Sequence, residues 1–163
     1  MIIIGYQGIG KSTTVSQNDK FIDLESGNFW IEDEETGIKS RDKNWFIPYC
    51  NIAEHLSQQG YTVFVSSHKE VRERLKKSKE LVVGCYPAHP LKNEWIKRLE
   101  NRWKDSGSDK DYKALANAVD RFDENIDEIE KDCRYTIKIE SMHYSLASLI
   151  AKFMYFYKRG ETI

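Results

Sequence analysis

Residues 5–12 read Gly5-Tyr6-Gln7-Gly8-Ile9-Gly10-Lys11-Ser12, a glycine followed by four residues and then Gly-Lys-Ser. This is the full-length pattern of a phosphate-binding loop. The apolar run Met1-Ile2-Ile3-Ile4 before it predicts a short buried strand, and Thr13-Thr14-Val15 after it can begin a helix. A strand, a glycine-rich turn and a helix are the context that the motif requires, so a chance glycine-rich turn is the weaker explanation. The sequence therefore predicts a site for nucleotide phosphates early in the chain.

Each residue type in this phosphate loop (residues 5–12) has a physical role. Glycines permit positive φ angles, so successive backbone N–H groups can point into one concavity at the positive end of a helix. Lys11 is expected to reach the β- and γ-phosphates, and the Ser12 hydroxyl to bind Mg²⁺. The predicted ATP-binding residues are Gly5, Gly8, Ile9, Gly10, Lys11, Ser12 and Thr13.

The composition predicts one soluble globular domain over residues 1–163. Hydrophobic residues make up 40% and charged residues 31% of the chain, and 163 residues are enough to bury a core. The formal net charge of -1 gives no reason to expect nucleic-acid binding, and no apolar run approaches the ~18 residues of a membrane span. The first residues carry no secretory signal, and the widely spaced Cys50, Cys85 and Cys133 suit reduced thiols. We expect a cytoplasmic protein without a membrane partner; its oligomeric state is left open.

Predicted strands and helices alternate along the chain. Strands are predicted at 1–4, 20–24, 61–65, 80–86 and 135–139, with helical periodicity at 49–56, 95–103, 112–129 and 146–157. The charged segment 70–79 is expected to be a solvated helix, and 27–44 to be the longest loop. Strands separated by helices predict an α/β fold, with a five-stranded parallel sheet between two layers of helices.

In such a sheet, ligands bind at the carboxyl ends of the strands. Asp23 and Glu25 leave the second predicted strand there, and their alternation allows both side chains to face one side. One carboxylate can hold Mg²⁺ or accept the proton of an attacking hydroxyl, while the other binds the acceptor. The alternative is a pair of solvated loop carboxylates.

The third strand ends at Ser66-Ser67-His68 and has no aspartate at its end. Motor ATPases and GTPases need that acid for their metal, so its absence argues against a water-activating enzyme. The hydroxyls of Ser66 and Ser67 remain candidate ligand contacts. His68 either begins a helix or takes part in the chemistry.

Two arginines form the third candidate feature. Arg98 and Arg102 are four residues apart on a predicted helix and share one face, so they can clamp phosphate oxygens. The alternative is a solvated face on which Glu94 pairs with Arg98. Arg72 and Arg74 are two apart and diverge on a helix, so they cannot form one clamp.

The phosphate loop, the Asp23-Leu24-Glu25 exit and the arginine helix together resemble the small P-loop kinase family, which includes nucleoside monophosphate, shikimate and gluconate kinases. Segments 22–26, 51–56 and 65–68 also look similar to P-loop proteins of bacteriophages and prophages, some of them taken to be deoxynucleotide kinases. The resemblance implies a mobile arginine-bearing lid, here at about 87–110. The chain departs from the family pattern in lacking the strand-end aspartate and an arginine directly after the third strand.

What the resemblance implies is an ATP-dependent phosphotransferase that acts on a nucleoside or deoxynucleoside monophosphate, with ATP and Mg²⁺ as cofactors. Its implied residues are Lys11, Asp23, Arg98 and Arg102 for catalysis, Ser12 and Asp23 for the metal, and Glu25, Ser66 and Ser67 for the substrate. Two alternatives stay open: a small-metabolite kinase of the shikimate or gluconate kind, and a nucleotide-binding module without turnover. Phe29 and Trp30 are expected either to stack on a base or to pack against the domain.

Overall fold

The computed structural model describes residues 1–161. Residues 162 and 163, the last two of the predicted domain, lie outside the described residues. The strands are β1 (Ile2–Gly5), β2 (Phe21–Asp23), β3 (Ile31–Glu32), β4 (Lys39–Ser40), β5 (Thr62–Ser66), β6 (Val82–Pro87) and β7 (Tyr135–Ile139). The α-helices are α1 (Lys11–Ser16), α2 (Phe46–Gln58), α3 (Lys69–Leu75), α4 (Lys92–Ser106), α5 (Asp109–Asp132) and α6 (Leu146–Arg159).

The predicted five-stranded parallel sheet is confirmed, with the strand order β2-β5-β1-β6-β7. β1 is the central strand, and its Ile3 lies between Phe64 of β5 and Val83 of β6. All three of these side chains are fully buried, because helices flank the sheet and leave no face of a central strand to water. Since every strand runs the same way, the carboxyl ends of β1, β2 and β5 meet at one edge.

The helices pack on the sheet through the periodic apolar residues from which they were predicted. Trp95 and Leu99 of α4, and Phe122 and Ile126 of α5, are fully buried. α5 also approaches β6 closely, because a Cβ atom at Gly84 would lie only 2.7 Å from Ile129 Cγ2. Among residues 1–161, no helix is long and apolar enough to cross a membrane.

Two local expectations need correction. The 70–79 segment is not a fully solvated helix, because α3 ends at Leu75 and buries Val71, Arg72 and Leu75. The predicted 27–44 loop is not free of regular structure, since β3 and β4 pair within it as a small antiparallel hairpin.

Arg72 joins α3 to α5 inside the domain. Its side chain is 5% exposed, and its Nε donates to Asp132 Oδ2 at 2.7 Å. The same guanidinium donates to a carboxylate oxygen of Glu128 and to the carbonyl of Ser67. A buried guanidinium with this many acceptors is a structural ion pair. Arg72 therefore holds α5 against the segment that follows β5 and is not available to clamp a phosphate.

We predict that Arg72→Met destabilises the protein by about 3 kcal/mol, because it leaves the carboxylate of Asp132 without its buried partner. Urea unfolding measures the change. Arg74→Met is the matched control: Arg74 is more exposed and pairs with Glu54 at 3.1 Å, so its loss should cost less than about 1 kcal/mol. Equal destabilisation by the two substitutions would contradict this assignment of Arg72.

Candidate functional site

The phosphate loop connects β1 to α1 and depends on glycine at two positions. Gly8 has a φ angle of 81° and Gly10 one of 91°, both in the left-handed region that other residues avoid. Gly8 is constrained a second time, because a Cβ atom there would lie 2.9 Å from Leu99 Cδ2. Gly10 is the residue at which α1 begins. The loop therefore adopts the compact turn that its sequence predicts.

The loop presents free backbone donors. Tyr6 N–H is bonded to the carbonyl of Cys85 at 2.8 Å, and Thr14 N–H to that of Gly10 at 3.0 Å. Between these two, the N–H groups of residues 7–13 donate to no protein acceptor within residues 1–161. A run of unpaired N–H groups at the start of a helix forms a binding site for an anion.

Lys11, Ser12 and Asp23 meet beside this loop. Lys11 Nζ lies 3.4 Å from Asp23 Oδ1, and Ser12 Oγ donates to Asp23 Oδ2 at a long 3.5 Å. The Asp23 side chain is only 11% exposed, and its buried Oδ1 atom makes no hydrogen bond. A buried carboxylate oxygen without a hydrogen bond is unusual, and Lys11 is the charged partner of this one. The hydroxyl and carboxylate oxygens are the donor atoms that Mg²⁺ prefers, so this pair of residues fits the metal.

Arg41 is a site residue that the sequence analysis missed. Its guanidinium lies 3.4 Å from the centre of the Trp45 ring and donates to the carbonyl of Ser26, just beyond the end of β2. Its Nε is buried and makes no hydrogen bond, and within residues 1–161 no carboxylate forms a salt bridge with it. Burial lowers the pKa of Arg41. The charge of Glu70 acts on Arg41 only from beyond salt-bridge distance, so this partly desolvated cation can still take an anionic group of a ligand.

His68 begins α3, as one of its two interpretations expected, and its ring shares a hydrogen bond with Ser66 Oγ at 2.9 Å. The His68 ring packs edge-on against the Trp45 ring, with 5.3 Å between the ring centroids. Desolvation of its ring lowers the pKa of His68 below its ordinary value of 6.5, and the positive charges of Arg41 and Lys11 lower it further, against the opposing charge of Glu70. His68 is therefore neutral at pH 7 and lies within the electrostatic reach of both cations.

We predict that Arg41→Met raises the pKa of His68, because it removes one of the positive charges that disfavour the imidazolium. The pKa should stay below 6.5, since burial is the larger cause. NMR titration of the His68 ring measures both values. Lys43→Met, an exposed lysine of the same loop, is the control and should leave the titration unchanged. An unchanged pKa in Arg41→Met would contradict the proximity of the two side chains.

The structure separates the two arginines of the predicted clamp. Arg98 donates to the Tyr144 hydroxyl at 3.2 Å, and that hydroxyl donates to the carbonyl of Ile9 in the phosphate loop at 2.9 Å. Arg102, one turn further along α4, pairs instead with Asp111 of α5 at 2.7 Å. Arg98 is thus linked to the loop through one side chain, while Arg102 faces α5. A joint action on phosphate stays a prediction and requires Arg102 to leave Asp111.

The other predicted contacts lie around the same edge. Both carboxylate oxygens of Glu25 accept from Lys110 Nζ at 2.9 Å, so the start of α5 reaches the end of β2. The Ser67 carbonyl is engaged by Arg72, and Ser66 N–H donates to the Tyr49 hydroxyl. Binding of substrate by Glu25, Ser66 and Ser67 stays a prediction.

The two loop aromatics have different surroundings. Phe29 packs edge-on against Tyr49 at 5.4 Å, as its structural interpretation expected. Trp30 is half exposed and lies near the Arg41 guanidinium.

Comparison with known proteins places the fold. No protein-family model matches the chain. No curated protein matches it either. Among solved structures, the shikimate kinase from Acinetobacter baumannii in complex with shikimate is similar, with a TM-score of 0.50, 15% identity, and coverage of 98% of this chain and 92% of that chain. The dephospho-CoA kinase from Campylobacter jejuni gives a TM-score of 0.42 at 17% identity, over 98% of this chain and 96% of that one. The similarity to the shikimate kinase supports the predicted fold, a five-stranded parallel sheet between helices.

Proposed function

We propose that the protein is an ATP-dependent phosphotransferase that transfers the γ-phosphate of ATP to a nucleoside or deoxynucleoside monophosphate. The observation that carries this proposal is the phosphate loop, in which the N–H groups of residues 7–13 are free beside Lys11. The fold of a small P-loop kinase supports it. The preference for a deoxynucleotide rests on the resemblance to phage and prophage proteins alone.

On the donor side, the free N–H groups and Lys11 bind the phosphates of ATP. The 3.4 Å contact between Lys11 and Asp23 is loose, so the ammonium can turn toward a phosphate at little cost. Ser12 and Asp23 are the residues that would hold Mg²⁺, which neutralises phosphate charge when it is bound. Phosphoryl transfer is catalysed mainly by positioning and charge, so these contacts supply most of what the reaction needs.

On the acceptor side, Arg41 favours a substrate with an anionic group. Its guanidinium has no carboxylate partner in the described chain, and it lies with Trp45 at the end of β2. A monophosphate supplies both the anion and the attacking oxygen, so no general base is required. In this scheme Glu25 binds the acceptor. Arg98 and Arg102 stabilise charge on the transferred group when the lid at 87–110 closes.

A small-metabolite kinase is the second candidate, and Arg41 also supports it, because a carboxylate on the metabolite would satisfy the same guanidinium. The attacking group would then be a hydroxyl, and Asp23 or Glu25 would take its proton. The third alternative is a nucleotide-binding module without turnover, which would use the donor side alone.

We predict that Lys11→Ala lowers phosphoryl transfer by ~10²-fold or more, because it removes a cation from the donor phosphates. The assay follows ADP release from ATP and Mg²⁺ with a panel of nucleoside monophosphates and small hydroxy acids. The variant should still fold, with a small decrease in melting temperature, because Asp23 loses a 3.4 Å ion pair but keeps its contact with Ser12. Lys43→Ala is the control. Full activity in Lys11→Ala would contradict the proposed role of the loop. ATP binding by the wild type without ADP release from any acceptor would favour the binding module.

Substitution of the two carboxylates distinguishes the acceptor classes. With a monophosphate acceptor, Asp23→Asn should weaken the apparent affinity for Mg²⁺ and recover partly at high Mg²⁺, because Asp23 acts through the metal. Glu25→Gln should chiefly raise KM for the acceptor, as loss of a ground-state contact does. Steady-state kinetics at several Mg²⁺ concentrations measure both effects, with the exposed Glu34→Gln as the control. A collapse of kcat that Mg²⁺ cannot repair would indicate a hydroxyl acceptor and a carboxylate base.

A further inference from the structure

We propose that Gln7 is a positioning residue that couples occupancy of the phosphate loop to the place of the first half of α5, residues 109–120. The coupling part of this inference rests on the proposed function, because it needs a nucleotide in the loop. Gln7 occupies one of the four variable positions of the motif, where the phosphate-binding pattern itself sets no requirement.

Three polar groups of Gln7 contact the helical hairpin formed by α4 and α5. The indole N–H of Trp95 donates to its backbone carbonyl at 3.0 Å. Its side-chain Nε2 donates to the carbonyl of Ala114 at 2.7 Å, and its Oε1 accepts from Asn117 Nδ2 at a longer 3.4 Å. The backbone N–H of Gln7 has no acceptor within residues 1–161, and it belongs to the run of free N–H groups at the proposed phosphate site. One residue therefore contacts both the phosphate site and α5.

The two halves of α5 are held unequally. Arg121 has non-helical angles, φ -135° and ψ 28°, which place a kink between them. The second half buries Phe122, Ile126 and Ile129 in the core and is anchored by Arg72. The first half fully buries only Ala118, with Leu115 partly buried against the core and Tyr112 packed on Trp103 of α4. Segments with few fully buried apolar contacts open at low free energy, so the two side-chain bonds to Gln7 add to a small set of contacts that hold residues 109–120.

We therefore expect phosphate binding to stabilise the position of the first half of α5 through Gln7. The Gln7 carbonyl is already held by Trp95, and donation of the loop amides to a phosphate would restrain the backbone at residues 7 and 8 from its other side, and with it the starting point of the Gln7 side chain. The first half of α5 carries Lys110, which pairs with Glu25, and Asp111, which pairs with Arg102. If Gln7 orders this half of α5, it also fixes the positions of the Lys110–Glu25 and Arg102–Asp111 pairs relative to the phosphate loop. In the proposed reaction, this links the ATP site to the acceptor site.

Hydrogen–deuterium exchange with mass spectrometry tests the proposal on the full chain. Gln7→Met keeps the length of the side chain and removes its two hydrogen bonds, while the Trp95 bond to the backbone remains. Without ligand, exchange in 109–120 should rise about fivefold in Gln7→Met, as loss of these bonds predicts. It should rise less in Asn117→Ala, which keeps the Gln7 bond to Ala114 and removes the longer bond to Gln7 together with the bond that Asn117 accepts from Asn125. Gln58→Met, an exposed residue at the end of α2, is the control and should leave exchange unchanged.

Addition of ADP and Mg²⁺ then tests the coupling. In the wild type, ADP should protect 109–120 from exchange; in Gln7→Met this protection should be lost, while calorimetry gives a Kd for ADP within about twofold. The turnover number should fall ~10-fold in the variant, a loss of positioning and not of nucleotide binding. Unchanged exchange without ligand, or equal protection by ADP in both proteins, would overturn the role of Gln7. Failure of the wild type to bind ADP would instead overturn the proposed function, and the ligand-free comparison would still decide whether Gln7 holds the helix.

Discussion

The arrangement of the candidate site depends on the phosphate loop, whose carbonyl groups accept hydrogen bonds from side chains of the protein. The carbonyl of Gln7 accepts from Trp95, that of Ile9 from Tyr144, and that of Gly10 from Thr14. The N–H groups of residues 7–13 make no such bonds within the described chain. In an isolated loop of this composition, both the carbonyl groups and the N–H groups would form hydrogen bonds with water. Such a loop would have no fixed shape. Here the acceptors are satisfied from the protein side, so the donors remain for a ligand.

This arrangement explains why distant segments surround the loop. Trp95 belongs to α4 and Tyr144 to the segment between β7 and α6, so the two donors come from far along the chain. Leu99 adds steric contact at Gly8, where no side chain would fit. Placing these donors requires the whole sheet and the helices on it, because only the complete fold brings them to one point. The loop motif is local in sequence, but its shape is a property of the tertiary structure.

The charges around the loop follow a similar division. The donor side has Lys11 close to Asp23, so that cation is partly neutralised before a ligand arrives. The acceptor side has Arg41 without a carboxylate partner among the described residues, and a neutral His68 beside it. A partly buried cation without a salt bridge costs desolvation free energy, which a bound anion would offset. Under the proposed function, this favours an acceptor with its own negative charge.

The sequence predicted those parts of the fold that depend on local pattern. β7 was expected at 135–139 and is found there, and the apolar spacing located α2, α4, α5 and α6, because burial on one face leaves a periodic signal. Arg41 left no such signal, since it belongs to a polar loop and its position depends on stacking with Trp45. The charged pattern of α3 concealed the burial of Arg72, whose carboxylate partners are on α5. Ion pairs between residues far apart in the sequence leave no periodic pattern from which they could be predicted.

The strength of individual contacts also locates where the α4–α5 hairpin can move. Trp95 and Leu99 are fully buried against the phosphate loop, so moving them would expose large apolar side chains. In the Lys110–Glu25 pair, the lysine side chain is 72% exposed and the glutamate side chain 41% exposed. An ion pair this exposed contributes less than about 1 kcal/mol to stability. Opening at the tip of the hairpin is thus far less costly than opening at its base. We infer that any lid within the predicted 87–110 segment bends beyond Leu99, with Arg98 staying beside the loop and Arg102 moving with the tip.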